Sequence, residues 1–411
     1  MSAERDQQQI SVKEVAARGG LIFVLVTLFL DIMGSTLLLP IVPYIVREYN
    51  TSALAVGVLS AIYSAAAFFA APVLGKFSDR WGRRPVLLAS VFGSAVGYFI
   101  FGIGGALWVL FLSRLIDGFT GGNIATAMAY IADVTPPKER ARNFAFGGVA
   151  FGLGFIIGPV ISGSLSTISL AAPAFAAGGL SLVSFLFGLF FLPESLPREK
   201  RAVGPFRLKE ANPFSVIAEM GRLPNLKLLL SAIFILYLAY SGLFSFITVY
   251  TLDRFTATPV DNSTLFMVIG VFQMIGQGGI VYRLTPRFGE KRIAVVGLIL
   301  QTLTYPLMVA VPGFIYLYPL AVISALGNAF TRPTLDALVA NSVAPHEQGR
   351  AAGTTAGLYS LANILGPLGA GLLYDQIAPA SLFLVGGSLI VLACLMVAQV
   401  RAVQPAAAHA D

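Results

Sequence analysis

The residues of this chain that could do chemistry are few, and most stand inside apolar sequence. Asp31 lies midway along the apolar run from Leu21 to Val42. A carboxyl there costs several kcal/mol if charged and unpaired in lipid, so it must face a bundle interior, pair, or take up a proton. Desolvation moves its pKa toward the range that cellular pH can protonate, which is what reversible proton uptake needs. A structural hydrogen bond between helices is the competing reading. Arg114 and Asp117 lie three apart on one helix face of another apolar run and can partly neutralise one another, as a structural ion pair or as charge-coupling groups. Protonation of Asp31 would release Arg114, and a bound solute could compete for the same charge.

A second set sits in short charged connections. In Gly75-Lys-Phe-Ser-Asp79-Arg80-Trp-Gly82-Arg83, Asp79 at a helix end can pair with cations or an opposing helix N-terminus, while Gly75 and Gly82 permit close approach and a tight turn. Asp133, Glu139 and Arg142 join the same network or are solvated loop charges. The small residues Gly154, Gly158 and Gly163, with Pro159, permit a close helix crossing and a kink. Tyr237, Tyr240 and Phe244 share one helix face; with Gln273, Gln301 and Asn328 they are candidates to line an amphipathic pocket, packing being the alternative. Arg332 and Asp336, beside Pro333, read as an interfacial ion pair.

Other chemistry has little support. The one cysteine is Cys394 and the two histidines are His346 and His409, which removes internal disulfides, metal clusters and histidine-based triads. Gly75-Lys76 lacks the remaining residues of a phosphate-binding loop. No cofactor and no enzyme activity are expected.

The elements that must carry these residues follow from composition. Of 411 residues, 56% are hydrophobic and 11% charged, far from a water-soluble globule. Apolar runs of spanning length fall at 20–42, 54–74, 86–105, 107–130, 143–166, 172–192, 227–250, 263–282, 292–311, 314–338, 350–372 and 379–400, which predicts twelve transmembrane helices. The net charge of +7 resides in short runs between these segments, which argues for cytosolic loops and against nucleic acid as a partner. With the N-terminus cytosolic, every Lys and Arg except Arg47, Arg254 and the intramembrane Arg114 lies on the cytosolic side. Both termini are then cytosolic. The expected division is a tail at 1–19, a six-helix bundle at 20–192, a cytosolic linker at 193–226, a second six-helix bundle at 227–400 and a tail at 401–411.

The two halves read as copies. Glu139, Arg142, Gly158 and Pro159 recur as Glu347, Arg350, Gly366 and Pro367 at one offset of 208 residues. Two parallel six-helix repeats flanking a midplane site is the layout of an alternating-access carrier.

Gly75 to Arg84 resembles the signature loop of the major facilitator superfamily. Arg114-Leu-Ile-Asp117-Gly118 resembles its Arg-x-x-x-Gly motif, and Gly154-x-x-x-Gly158-Pro159-x-x-x-Gly163 the antiporter motif of its drug-exporting branch. Ala129 to Arg142, with Leu30-Asp31-Ile-Met-Gly34, is most similar to tetracycline/proton antiporters. The resemblance implies an all-α, twelve-helix membrane protein exporting an amphipathic small molecule against protons; the compact loops and short tails suggest a bacterial inner membrane, and a monomer is expected. It gives Asp31, Arg114 and Asp117 proton coupling, and the Gly75 to Arg84 loop with Asp133, Glu139 and Arg142 a conformational latch. The chain departs from the tetracycline exporters at Gly97, Gln273 and Gln301, where they carry acids or a histidine. A facilitator, flippase or symporter for a lipid or metabolite is the alternative.

Overall fold

The computed structural model describes residues 2–122, 124–203 and 224–400. Most of the expected linker and the tail 401–411 lie outside the described residues. The described chain is helical, with no strand. Its helices are α1 (Ser2–Leu38), α2 (Val42–Tyr49), α3 (Ala53–Trp81), α4 (Arg83–Ile103), α5 (Leu107–Thr120), α6 (Ile124–Val134), α7 (Arg140–Ser166), α8 (Ala172–Phe191), α9 (Pro224–Phe255), α10 (Pro259–Ile275), α11 (Tyr282–Phe288), α12 (Glu290–Ala310), α13 (Leu317–Asn341), α14 (Gln348–Gln376) and α15 (Ser381–Gln399).

Eleven segments among the described residues are long and apolar enough to cross a membrane. They coincide with every expected span but the fourth. That span is divided into α5 and α6, because Gly121 and Gly122 follow Thr120 and interrupt the helix. A Cβ on Gly122 would come within 3.0 Å of the Ala71 Cα, so the break is also a close contact with α3. The eighth span runs from α10 through a π-helical turn, Gly276–Val281, into α11. Helices are the expected solution in lipid, where each backbone polar group needs an internal partner. Large apolar side chains stand exposed on them, including Ile103 at 70%, Phe190 at 76% and Leu303 at 58%, as a lipid-facing surface requires.

Contacts divide the chain into two units. One holds residues up to Ile41 with Ala66–Ala211; the other holds Val42–Ala65 with the chain from Asn212. In the first, α1 packs on α7 and α8, and α4 on α5 and α8. In the second, α9 packs on α14 and α15, and α12 on α13 and α15. The two packing schemes are the same under the repeat.

The segment Val42–Ala65 belongs to the second unit through named polar contacts. Arg47 pairs with Asp253 at 2.6 Å, and Tyr374 donates to the same carboxylate at 2.8 Å. Asp375 accepts from Ser52 Oγ and from the backbone N–H groups of Ala53 and Leu54, so it caps the N-terminus of α3. Tyr44 donates to the Ala257 carbonyl and accepts from Asn262 Nδ2. Burial, outweighing the Asn262 hydrogen bond, holds its phenol above the ordinary range, so it donates as a neutral group.

Candidate functional site

In the first unit, α5 places Arg114 and Asp117 on its α4-facing side. Arg114 Nη1 lies 3.0 Å from Asp117 Oδ2, with both side chains buried. The guanidinium also sits over the Phe101 ring at 4.8 Å and the Tyr98 ring at 5.4 Å, while Nε and Nη2 have no hydrogen-bond partner. Two aromatic faces and one carboxylate therefore hold a cation that retains unused donors. Gly97 makes room for this pair: a Cβ there would lie 3.0 Å from Asp117 Cβ and 3.1 Å from the Ser113 carbonyl. The buried acid thus comes from α5, beside the third-span position that Gly97 leaves empty. On α1, Gly34 meets the Tyr98 ring, a Cβ there falling 3.3 Å from it. Asp31 lies half-buried one turn before Gly34, so α1 brings it to the helix face that meets the ring beneath Arg114.

The charged loop between α3 and α4 is a clasp centred on Arg83. Its guanidinium donates to Asp79, to Ser78 Oγ at 3.0 Å and to Asp133 Oδ2 at 3.0 Å. Gly82 has φ +109°, and a Cβ there would lie 2.1 Å from Glu194 Oε2, so both conformation and space exclude a side chain. Glu194 accepts from the backbone N–H groups of Arg83 and Arg84 at 2.8 and 3.3 Å, and sits 3.7 Å from Arg201. An acid on the first turn of α4 satisfies orphan N–H groups and faces the positive end of the helix.

Glu194 was not among the candidates from sequence, although its place directly after the sixth span and Pro193 was a signal. Gly75 has open space beside it, so the close approach expected there is not made. Arg80 is exposed. Glu139 and Arg142 pair with each other at 3.5 Å on the exposed surface rather than joining Arg83.

Gly154 and Gly158 bring α7 against α1. A Cβ on Gly158 would lie 2.1 Å from Thr36 Oγ1 and 2.8 Å from the Met33 carbonyl; one on Gly154 would lie 3.0 Å from Met33 N. Thr36 Oγ1 donates to the Gly154 carbonyl at 3.0 Å across the seam. Pro159 continues the helix from Gly158, and Gly163 is buried farther along it. The second unit repeats the device. A Cβ on Gly366 would lie 2.1 Å from Ser241 Oγ and 2.7 Å from the Leu238 carbonyl, while Ser241 Oγ donates to the Ala362 carbonyl at 2.8 Å. In both halves the accepting carbonyl lies four residues before the glycine of the Gly-Pro pair.

The second unit assembles an aromatic wall. Ring centroids are 4.0 Å apart for Tyr237 and Tyr359, 6.1 Å for Tyr237 and Tyr240, and 5.7 Å for Tyr240 and Phe244. Tyr240 and Phe244 also line an apolar cavity of about 40 Å³, together with Ile269, Met308 and Ala321. Gln273 and Asn328 are joined, Nε2 to Oδ1, at 3.0 Å. Gln301 is fully buried where α12 crosses α13 and donates to Thr331 Oγ1 at 3.1 Å, so it belongs to the helix seam rather than to a pocket wall. Arg332 and Asp336 do not form the expected ion pair. Asp336 accepts from the Tyr359 hydroxyl at 2.6 Å, and Arg332 lies over the Tyr359 ring at 5.3 Å. Tyr359 intervenes because α14 delivers it onto the turn of α13 that carries both residues.

Spanning helices in two like-packed repeats, with an intramembrane ion pair and a charged clasp at a helix junction, define a polytopic membrane transporter. The chain belongs to the Major Facilitator Superfamily, whose sequence model matches residues 24–286 and 279–410. It is 35% identical to the class C tetracycline resistance protein of Escherichia coli, over 86% of this chain and 89% of that one. It is 28% identical to multidrug resistance protein 2 of Bacillus subtilis (strain 168), over 86% and 88%. Among solved structures it is similar to the human organic anion transporter MFSD10 (TETRAN), with a TM-score of 0.71 and 27% identity, over 93% of this chain and 99% of that one.

Proposed function

We propose that this protein exports amphipathic small molecules across the cell membrane by alternating access, in exchange for inward-moving protons. The observation that carries the reading is the buried Arg114–Asp117 pair, held on Tyr98 against the face of α1 that bears Asp31, in a chain related over most of its length to tetracycline and multidrug resistance proteins. An intramembrane carboxyl next to a partly satisfied cation is suited to trading a proton for a change of partner. In the cycle, Asp31 takes up the proton and Arg114 is its charge partner, with Asp117 the partner in the other state. The Arg83 clasp sets the α3–α4 junction and latches the outward-facing state, and the two glycine seams keep the helices tight enough to prevent leak.

The chain works in a bacterial inner membrane as a monomer, and the distribution of its Lys and Arg residues supports both termini in the cytosol. The deciding experiment places purified protein in liposomes with a pH-sensitive dye inside, imposes a gradient and adds lipophilic cations, tetracyclines and lysolipids one at a time. Proton flux evoked by a substrate supports antiport. Movement of a substrate with no gradient dependence and no proton flux rejects it.

A further inference from the structure

The geometry points to Arg332 and the Tyr359–Tyr237–Tyr240 wall as a binding site in the second unit for amphipathic organic anions, the acid group on Arg332 and a flat apolar body along the rings. The inference rests on the efflux reading for its purpose and names the substrate class that this site would take.

Arg332 lies inside α13, a helix of spanning length, where an unused cation is costly unless it faces protein or a polar cavity. Its guanidinium covers the Tyr359 ring of α14, and that ring packs at 4.0 Å against Tyr237 of α9, so Arg332 is on the face of α13 turned toward its neighbouring helices. Among the described residues it forms no ion pair. Asp336, one turn on, is the nearby acid, and the Tyr359 hydroxyl occupies it at 2.6 Å. Arg332 also stays exposed while Tyr237 beside it is buried. A guanidinium that keeps its donors accessible, with the neighbouring Asp336 carboxylate already engaged by Tyr359, can offer its N–H groups to an incoming acid group.

Shape selects the rest of the ligand. The Tyr359 ring of α14 leads to the rings of Tyr237, Tyr240 and Phe244 along α9, which end at the apolar cavity lined by Tyr240 and Phe244. A planar guanidinium matches a carboxylate or a pair of acidic oxygens through two parallel hydrogen bonds, which an ammonium cannot reproduce. The complementary solute has an acidic head and an aromatic body.

The test uses two xanthene dyes of opposite charge, fluorescein (anionic at neutral pH) and rhodamine 6G (cationic), with the full-length chain. Binding is read by fluorescence polarisation in detergent, and transport in liposomes under an imposed pH gradient. Wild type should bind fluorescein. Arg332→Gln should weaken it by at least about 10-fold, the loss of one charge-assisted contact. Arg332→Lys should fall between them, and rhodamine 6G binding should not weaken in either variant. Retained rhodamine 6G binding also reports that the variants are folded. Failure of wild type to bind fluorescein, or equal fluorescein affinity in wild type and Arg332→Gln, overturns the site. Arg332-dependent fluorescein binding with no gradient-driven movement of either dye would leave the site standing and reject the efflux reading instead.

Discussion

At the scale of single residues, the first unit separates two kinds of intramembrane charge. Arg114 and Asp117 are buried and paired through a single contact, so removing one leaves the other charge buried and unpaired. Asp117→Asn should destabilise the protein by about 3 kcal/mol, seen as a lowered unfolding midpoint in detergent. Asp31 is only half-buried, and its loss should act on coupling rather than on folding. Asp31→Asn should insert and fold normally, while accumulation driven by a pH gradient falls to the level of protein-free vesicles. Accumulation at the wild-type level would remove Asp31 from the mechanism. Both positions were legible in sequence, because an ionisable residue in an apolar run announces itself by cost. The Tyr98 and Phe101 rings beneath Arg114 were not, since aromatic residues are common in such runs and only the packing of α4 on α5 selects two of them.

Between elements, the governing contacts are glycine crossings and helix caps. Gly158→Ala should abolish transport, because its methyl would meet both Thr36 Oγ1 and the Met33 carbonyl. Adding Thr36→Ala removes the first obstruction and leaves the second, so the double variant should recover part of the activity, measured as initial transport rate per inserted protein. Recovery to the wild-type rate, or none, would contradict the contact geometry. Asp375 and Arg47 offer a ranking. Asp375 caps α3 with three acceptor contacts, so Asp375→Ala should cost about 1–2 kcal/mol. Arg47→Ala removes one partly exposed ion pair and should cost less than about 1 kcal/mol. Equal unfolding midpoints for the two variants would count against the cap. The Gly-Pro repeat at an offset of 208 was visible in the sequence, yet the hydroxyls that serve it, Thr36 and Ser241, were not. They lie more than a hundred residues away on α1 and α9, and one hydroxyl among many in an apolar helix carries no distinguishing local signal.

For the whole molecule, the latch proposed for the clasp around Arg83 would link its contacts to conformational balance. Asp79→Asn leaves Arg83 bound to Asp133 and Ser78, so the junction should stay folded while the outward-facing state loses a latch. In a Cys394→Ala background, single cysteines facing the outer side should then be labelled several-fold more slowly than in the Asp79 parent. An unchanged labelling pattern would reduce the loop to a determinant of topology.

Sequence alone determined the class of molecule. Hydropathy and span length are summed along the chain, so they placed eleven of the spans without knowledge of any neighbour, and the offset repeat revealed the duplicated packing. The Gly-Gly interruption that divides the fourth span was equally local, although it was read through as continuous helix. Only the tertiary structure decided which groups meet. Helical spacing put Arg332 and Asp336 one turn apart, but the arrival of Tyr359 from α14 took the carboxylate and left the guanidinium open. Gln301 looked like a pocket residue until the crossing of α12 and α13 enclosed it, and Glu194 gained its role when the chain after α8 returned to the start of α4. The physical reason is common to all three. A local pattern gives the cost of burying a group, whereas the partner that offsets this cost is set by how helices distant in sequence rotate and approach.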